Sequence, residues 1–134
     1  NTKDKFVLVV DDQILMRRLA GEVLKSQGFK VLLADSGQKC LDLHQQYGKR
    51  IACVLLDINM PDMDGYETFY ALRAADPAIG IIFCTSYDVA REKISNVLMN
   101  KHVSFLRKPY TMKGLVQQIT NMMSETAELE PAID

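Results

Sequence analysis

The 134-residue sequence predicts a single α/β domain built on a five-stranded parallel sheet. Two observations lead there. Five short apolar runs alternate along the chain with five stretches whose apolar residues recur at helical spacing. The strand-like runs are apolar almost throughout, with no polar alternate, which is the pattern of strands covered on both faces. Alternating strands and helices with right-handed crossovers put helices on both sides of such a sheet.

Phe6 to Val10 is the first strand, and Leu15, Leu19 and Val23 mark one face of the helix after it, which Gly28 closes. Lys30 to Ala34 reads as the second strand, followed by a helix carrying Cys40, Leu43, His44 and Tyr47 on one face. Ile51 to Leu56 is the third strand. A helix from Tyr66 to Ala75 follows, capped by Asp64 and ended before Pro77. Ile79 to Cys84 is the fourth strand, and Val89, Ile94, Val97 and Leu98 stripe the helix after it. Val103 to Leu106 is the fifth strand, with Leu115, Val116, Ile119 and Met122 on the last helix. The domain is expected to occupy residues 1–124, with 125–134 as a frayed helix end and an acidic, solvated tail.

Composition bounds the function. Hydrophobic residues make up 48% and charged residues 25%, an ordinary globular balance. A formal net charge of −1 offers no global field for nucleic acid or an anionic membrane. The apolar runs are too short to cross a bilayer. Cys40, Cys53 and Cys84 form no paired spacing; Cys53 and Cys84, inside apolar runs, read as small buried hydrophobes, and the cytoplasm is the expected compartment.

In open parallel sheets, ligands bind beyond the carboxyl ends of the strands. The first strand there delivers Asp11 and Asp12, the third Asp57, the fourth Thr85 and Ser86, and the fifth Lys108 before Pro109. Three clustered carboxylates repel one another, and a hard divalent cation such as Mg²⁺ relieves that repulsion. A carboxylate beside Mg²⁺ can attack phosphorus, while an ammonium and a hydroxyl hold the remaining oxygens.

Other readings of VLLDINMPDMDG (54–65) fail on spacing. With Gly65 as the EF-hand glycine, Met60 would open the loop and Ala71 would close it, and neither is an acid. The D-x-D pattern of haloacid dehalogenase-type phosphatases belongs after a first strand, whereas Asp57 follows the third and precedes Ile58, Asn59 and Met60. Glycine-rich nucleotide motifs do not occur.

Four motifs, VLVVDD (7–12), LLDINMPDMDGYE (55–67), CTS (84–86) and FLRKPY (105–110), together resemble the receiver domain of two-component response regulators. The resemblance spans residues 5 to 123. It implies a flavodoxin-like doubly wound sheet of order 2-1-3-4-5 with five helices. It implies that Asp57 is the phosphoacceptor, fed by phosphohistidine on a histidine kinase or histidine phosphotransfer protein. Asp12 and Asp57 would ligate Mg²⁺ with the backbone carbonyl of Asn59, and Asp11 would act through metal-bound water. Lys108 would pair with the phosphoryl group, through a cis bond to Pro109. Thr85 and Phe105 would form the switch that repacks the face of the fourth helix, fifth strand and fifth helix. Asn59 and Tyr87 occupy the positions that tune phosphoryl lifetime.

The sequence departs from the family at Lys101-His102, where Gly-Ala is common, at Ser86, and at Phe105, which lacks a tyrosine hydroxyl. His44 reads as packing, His102 as a surface residue, and Arg17 and Arg18 as a solvated helix face. No DNA-binding segment follows within these residues, so direct nucleic-acid contact by this domain is not expected, nor is membrane contact. The start at Asn1 and the lysines before Phe6 fit a receiver cut from a longer chain. A hybrid sensor histidine kinase, itself open to membrane anchoring, is the expected parent. The alternatives are a stand-alone regulator and a receiver that only binds protein.

Overall fold

The computed structural model describes residues 4–61, 63–85, 96–97 and 99–127. Five parallel strands, β1 (Phe6–Val10), β2 (Lys30–Ala34), β3 (Ile51–Asp57), β4 (Gly80–Thr85) and β5 (Val103–Arg107), pair in the order β2-β1-β3-β4-β5. Helices α1 (Ile14–Ser26), α2 (Gly37–Tyr47) and α3 (Gly65–Ala75) and a C-terminal helix (Met112–Ala127) cover the sheet. The expected fourth helix lies almost wholly outside the described residues; of its apolar stripe only Val97 is described, and it is buried in the core.

Strand alternation divides the core in two. Leu8 and Val10 of β1, Val54 and Leu56 of β3, and Ile81 and Phe83 of β4 face Cys40 of α2 and Tyr66, Phe69 and Leu72 of α3. Val7 and Val9, Cys53 and Leu55, and Ile82 and Cys84 face Ala20 and Leu24 of α1 and Leu115, Ile119, Met122 and Met123 of the C-terminal helix. Both faces of the three central strands are buried, which is why their sequence shows no polar alternate.

Local chemistry agrees with the helix boundaries. The Ser36 hydroxyl accepts from the Lys39 amide at 3.1 Å, and the Asp64 carboxylate accepts from the Glu67 amide at 2.9 Å. Gly28, past the end of α1, has φ of 92° and donates its N–H to the Lys25 carbonyl at 3.0 Å. Gly65 is dictated by packing: a Cβ there would lie 2.6 Å from the Asp57 carbonyl oxygen and 2.7 Å from Ile58 Cα. The loop after β3 can therefore fold back against the strand end only with glycine at this position.

Two sequence expectations change. Leu15 and Leu19 are 78% and 47% exposed, and the buried residues of α1 are instead Ala20, Gly21 and Leu24. The small Gly21 lets the helix approach β2, so a Cβ on it would sit 3.1 Å from the Leu33 side chain. His102 is not a surface residue. Its side chain is 9% exposed, its φ is 58°, and its Nδ1 lies 2.6 Å from the Glu125 carboxylate. Arg73 holds this turn, donating to the carbonyls of Ile79, Lys101 and His102. The C-terminal helix runs to Ala127, with Thr126 buried and Glu125 engaged by His102.

Candidate functional site

Parallel register brings the strand ends level. Val10 pairs with Leu56, Asp57 with Cys84, and Thr85 with Arg107. The residues at or just beyond these ends, Asp11, Asp57, Thr85 and Lys108, therefore share one edge. Backbone bonds fix the exits: Asp11 N–H to Ala34 O at 3.1 Å, Ile58 N–H to Cys84 O at 3.1 Å, and Lys108 N–H to Thr85 O at 2.8 Å.

Each of Asp11, Asp12 and Asp57 offers a carboxylate oxygen within 4.8 Å of the others. Asp11 and Asp57 are each 5% exposed, whereas Asp12 is open to solvent. Lys108 Nζ stands between the buried pair, 3.1 Å from Asp11 Oδ2 and 3.6 Å from Asp57 Oδ2. The peptide bond from Lys108 to Pro109 is cis. Asp57 Oδ1 accepts from the Asn59 amide at 3.1 Å, and Asp11 Oδ1 from the Gln13 amide at 2.9 Å. Arg17 reaches back from α1 to donate to the Asp11 carbonyl at 2.8 Å.

The electrostatics follow from burial. The Asp57 carboxyl is pushed up to about 6: loss of solvation is the largest cause, Lys108 and the Asn59 amide pull against it, and Asp11 and Asp12 push with it. Burial opposes the charge on Lys108, but Asp57 and Asp11 outweigh it and its pKa is raised. Cys84, paired in register with Asp57, has its thiol pushed up to about 12, chiefly by burial, so it stays protonated and inert. One ammonium cannot balance three carboxylates. An all-oxygen, anionic, half-open cluster is the donor set that suits Mg²⁺.

Thr85 is buried at the end of β4. Phe105 is half-buried and stacks on Phe83 at 5.3 Å between ring centroids and 22° between planes. Phe83 in turn meets Phe69 at 5.4 Å and Tyr66 at 5.6 Å. Asn59 is exposed beside Asp57, while Ser86 and Tyr87 lie outside the described residues. His44 is buried with its Nε2 3.3 Å from Asp76, away from the acid cluster.

The sequence reading missed Arg17, which it placed on a solvated face. A basic residue one turn into a helix after an acidic pair gives no signal of reaching back across the loop. It also left out Tyr110, a half-buried residue whose phenol is pushed up by burial and then by Cys84, Asp11 and Asp57.

The sheet order and the helical layers define the flavodoxin-like, doubly wound class. Within it, a model of the response regulator receiver domain matches residues 7–120, and the chain belongs to that family, the receivers of two-component signalling. The sensor kinase CckA of Brucella abortus is 31% identical over 120 residues, covering 89% of this chain and 12% of that protein. The sensor histidine kinase RcsC of Escherichia coli K12 is 34% identical over 117 residues, covering 87% of this chain and 12% of that protein. The chain thus spans a small part of either kinase. A solved CheY-like receiver domain protein from Methanospirillum hungatei has a TM-score of 0.80 at 29% identity, covering 93% of this chain and 98% of that one.

Proposed function

We propose that this receiver accepts a phosphoryl group from phosphohistidine onto Asp57 and relays it as a conformational signal. The observation that carries the reading is Lys108 Nζ standing between the buried Asp11 and Asp57 carboxylates at 3.1 and 3.6 Å. An acid cluster short of positive charge is arranged to take up a divalent cation, and that cation with Lys108 could then hold the oxygens of a phosphoryl group.

In the transfer, an Asp57 carboxylate oxygen attacks phosphorus while the P–N bond of the donor breaks. The bonding pair leaves on the imidazole nitrogen, which takes up a proton. Receiver domains generally bind Mg²⁺, and Asp11, Asp12, Asp57 and the Asn59 carbonyl would hold it, where it would neutralise charge on the transferring oxygens. Lys108, already paired with Asp57, would exchange that carboxylate for a phosphoryl oxygen without moving far. The Asn59 amide keeps the Asp57 carboxylate oriented. Hydrolysis would return the switch to rest, with Asn59 and Tyr87 setting the lifetime.

Thr85 would turn its hydroxyl to the new phosphoryl oxygen and Phe105 would follow. Phe105 lies against Phe83 at the centre of an aromatic cluster, so its displacement repacks that face. The surface affected is β5 with the helices beside it.

The donor would be a histidine kinase or a histidine phosphotransfer protein. Ile14, Leu15 and Leu19 expose apolar side chains on α1, whose first turn begins beside Asp11. A helical donor would find there an apolar strip next to the acceptor. The similarity to CckA and RcsC favours a hybrid sensor kinase as parent, acting in the cytoplasm. The similarity to a structure that the chain covers almost completely keeps the stand-alone regulator as the second reading. No helix among the described residues is long and apolar enough to cross a membrane.

Intact-protein mass spectrometry after acetyl phosphate treatment, with and without Mg²⁺, tests the reading. One phosphoryl group should be gained only with metal, and not by Asp57→Asn. Folded protein that gains none under either condition would point to a receiver that only binds protein.

A further inference from the structure

Asp12 is the weakest point of the acid cluster. Asp57 is buried in β3 and bonded to the Asn59 amide, and Asp11 is buried and bonded to both Gln13 and Lys108. Asp12 is exposed, follows the end of β1, and its carboxylate has no hydrogen bond or ion pair among the described residues. Its place within 4.8 Å of the other two acids is therefore set by its backbone.

That backbone is one peptide plane, whose carbonyl belongs to Asp11 and whose nitrogen belongs to Asp12. A change in the Asp11 ψ angle would turn that carbonyl and carry Asp12, with its carboxylate, away from the cluster. Two contacts oppose the rotation. The Gln13 amide is bound to Asp11 Oδ1 at 2.9 Å, and the Asp11 carbonyl accepts from Arg17 Nη1 at 2.8 Å. The second is the stronger kind, because its donor is charged. It also comes from a different element: Arg17 is the fourth residue of α1, its own amide bonded to the Gln13 carbonyl at 3.0 Å. The Gln13 side chain makes no capping bond to α1, and the guanidinium is a charged tie from within the helix to the loop.

We propose that Arg17 is a positioning residue for cation binding, holding the Asp11–Asp12 peptide plane so that Asp12 faces Asp11 and Asp57. The inference rests on the proposed Mg²⁺ site. It is separate from simple electrostatics, and the sign tells them apart. A positive guanidinium near a cation site repels the cation, so charge alone predicts that removing it tightens Mg²⁺ binding. Positioning predicts that removing it weakens binding.

The test is isothermal titration of Mg²⁺ into the unphosphorylated chain, using wild type, Arg17→Met, Arg17→Lys and Asp12→Asn, with thermal melts in chelator as the control. Arg17→Met should weaken Mg²⁺ about fivefold to tenfold. Arg17→Lys, which keeps one donor and the charge, should recover part of the loss. In an Asp12→Asn background Arg17→Met should have little further effect, because the group it positions is gone. Tighter or unchanged binding in Arg17→Met overturns the proposal. So does a loss of the same size with and without Asp12, which would mean that Arg17 acts on the fold and not on Asp12. A wild type that binds no Mg²⁺ would instead remove the site reading itself, and this inference with it.

Discussion

Replacing the phosphoacceptor by its neutral isostere should make this protein more stable. In Asp57→Asn the side chain keeps its size and an oxygen for the Asn59 amide, and loses only the charge. That charge is held at a cost, because the Asp57 carboxyl is pushed from its ordinary 3.8 to about 6, burial being the largest cause. A difference of roughly 2 pKa units is worth about 3 kcal/mol. An acid raised in the folded state binds its proton more readily there than in the unfolded chain, so the folded form loses stability as pH climbs from about 4 to about 6. Below pH 3.8 the group is protonated in both states and contributes nothing. Above about pH 6 the whole penalty is present. That net shift already includes the opposing pull of Lys108, and a gain of about 1–3 kcal/mol at pH 7.5 is expected. For a domain of this size that is a rise in melting temperature of about 4–10 °C. Melts followed by circular dichroism in chelator at pH 7.5 and near pH 3.5 give the comparison. The variant's advantage should be present at the higher pH and vanish at the lower. A variant less stable than wild type at pH 7.5, or an advantage independent of pH, would refute the reasoning.

Mg²⁺ should stabilise the wild type by about 3 kcal/mol at a hundredfold excess over its dissociation constant, and this increment should disappear in Asp57→Asn. Calorimetric melts with and without metal check it, and an equal increment in both proteins would count against the cluster as the site. Lys108→Met strands two buried acids without their cation, so the Asp57 carboxyl should titrate higher still by carboxyl-carbon NMR. Phosphorylation by acetyl phosphate should also slow at least about tenfold, a donor to the developing charge being worth that much or more. Gly65→Ala should cost about 2–4 kcal/mol, because its methyl meets backbone at 2.6 and 2.7 Å. For Gly80→Ala the nearest atoms belong to the Met122 and Thr126 side chains, which can move, so it should cost less in urea denaturation. Similar losses in the two would contradict the steric account.

The arrangement of strands was readable because parallel strands buried on both faces leave a near-continuous apolar signature that helical crossovers then interrupt. The outward face of α1 was not. Leu15 and Leu19 share a helical spacing with the partly buried Val23, yet they face outward and the helix turns Ala20, Gly21 and Leu24 inward, because close approach to β2 rewards small residues over large ones. Apolar spacing alone reports a face, and which face is buried depends on the partner. His102 was misread for a related reason. A lone histidine in a polar stretch resembles surface, and its burial depends on Glu125 and Arg73, which lie far from it in sequence.

The strand parity held more than composition and motif drew from it. Counting by twos, Asp11 follows Val9, Asp57 follows Leu55 and Lys108 follows Leu106, all residues of the layer under α1 and the C-terminal helix. Thr85 follows Phe83, and Phe105 lies beside Phe83 in register, both on the layer under α3. The charged chemistry thus projects from one face of the sheet and the proposed switch from the other. A phosphoryl group on Asp57 must therefore be sensed across the end of the sheet, and β4 is the strand suited to do it, since Cys84 pairs with Asp57 in register and the next residue is Thr85. Phe83, two residues earlier, already carries Phe105 on its ring. A single strand end thus joins the proposed acceptor to the proposed readout, so substitutions at Phe83 should uncouple the two while leaving the acid cluster intact.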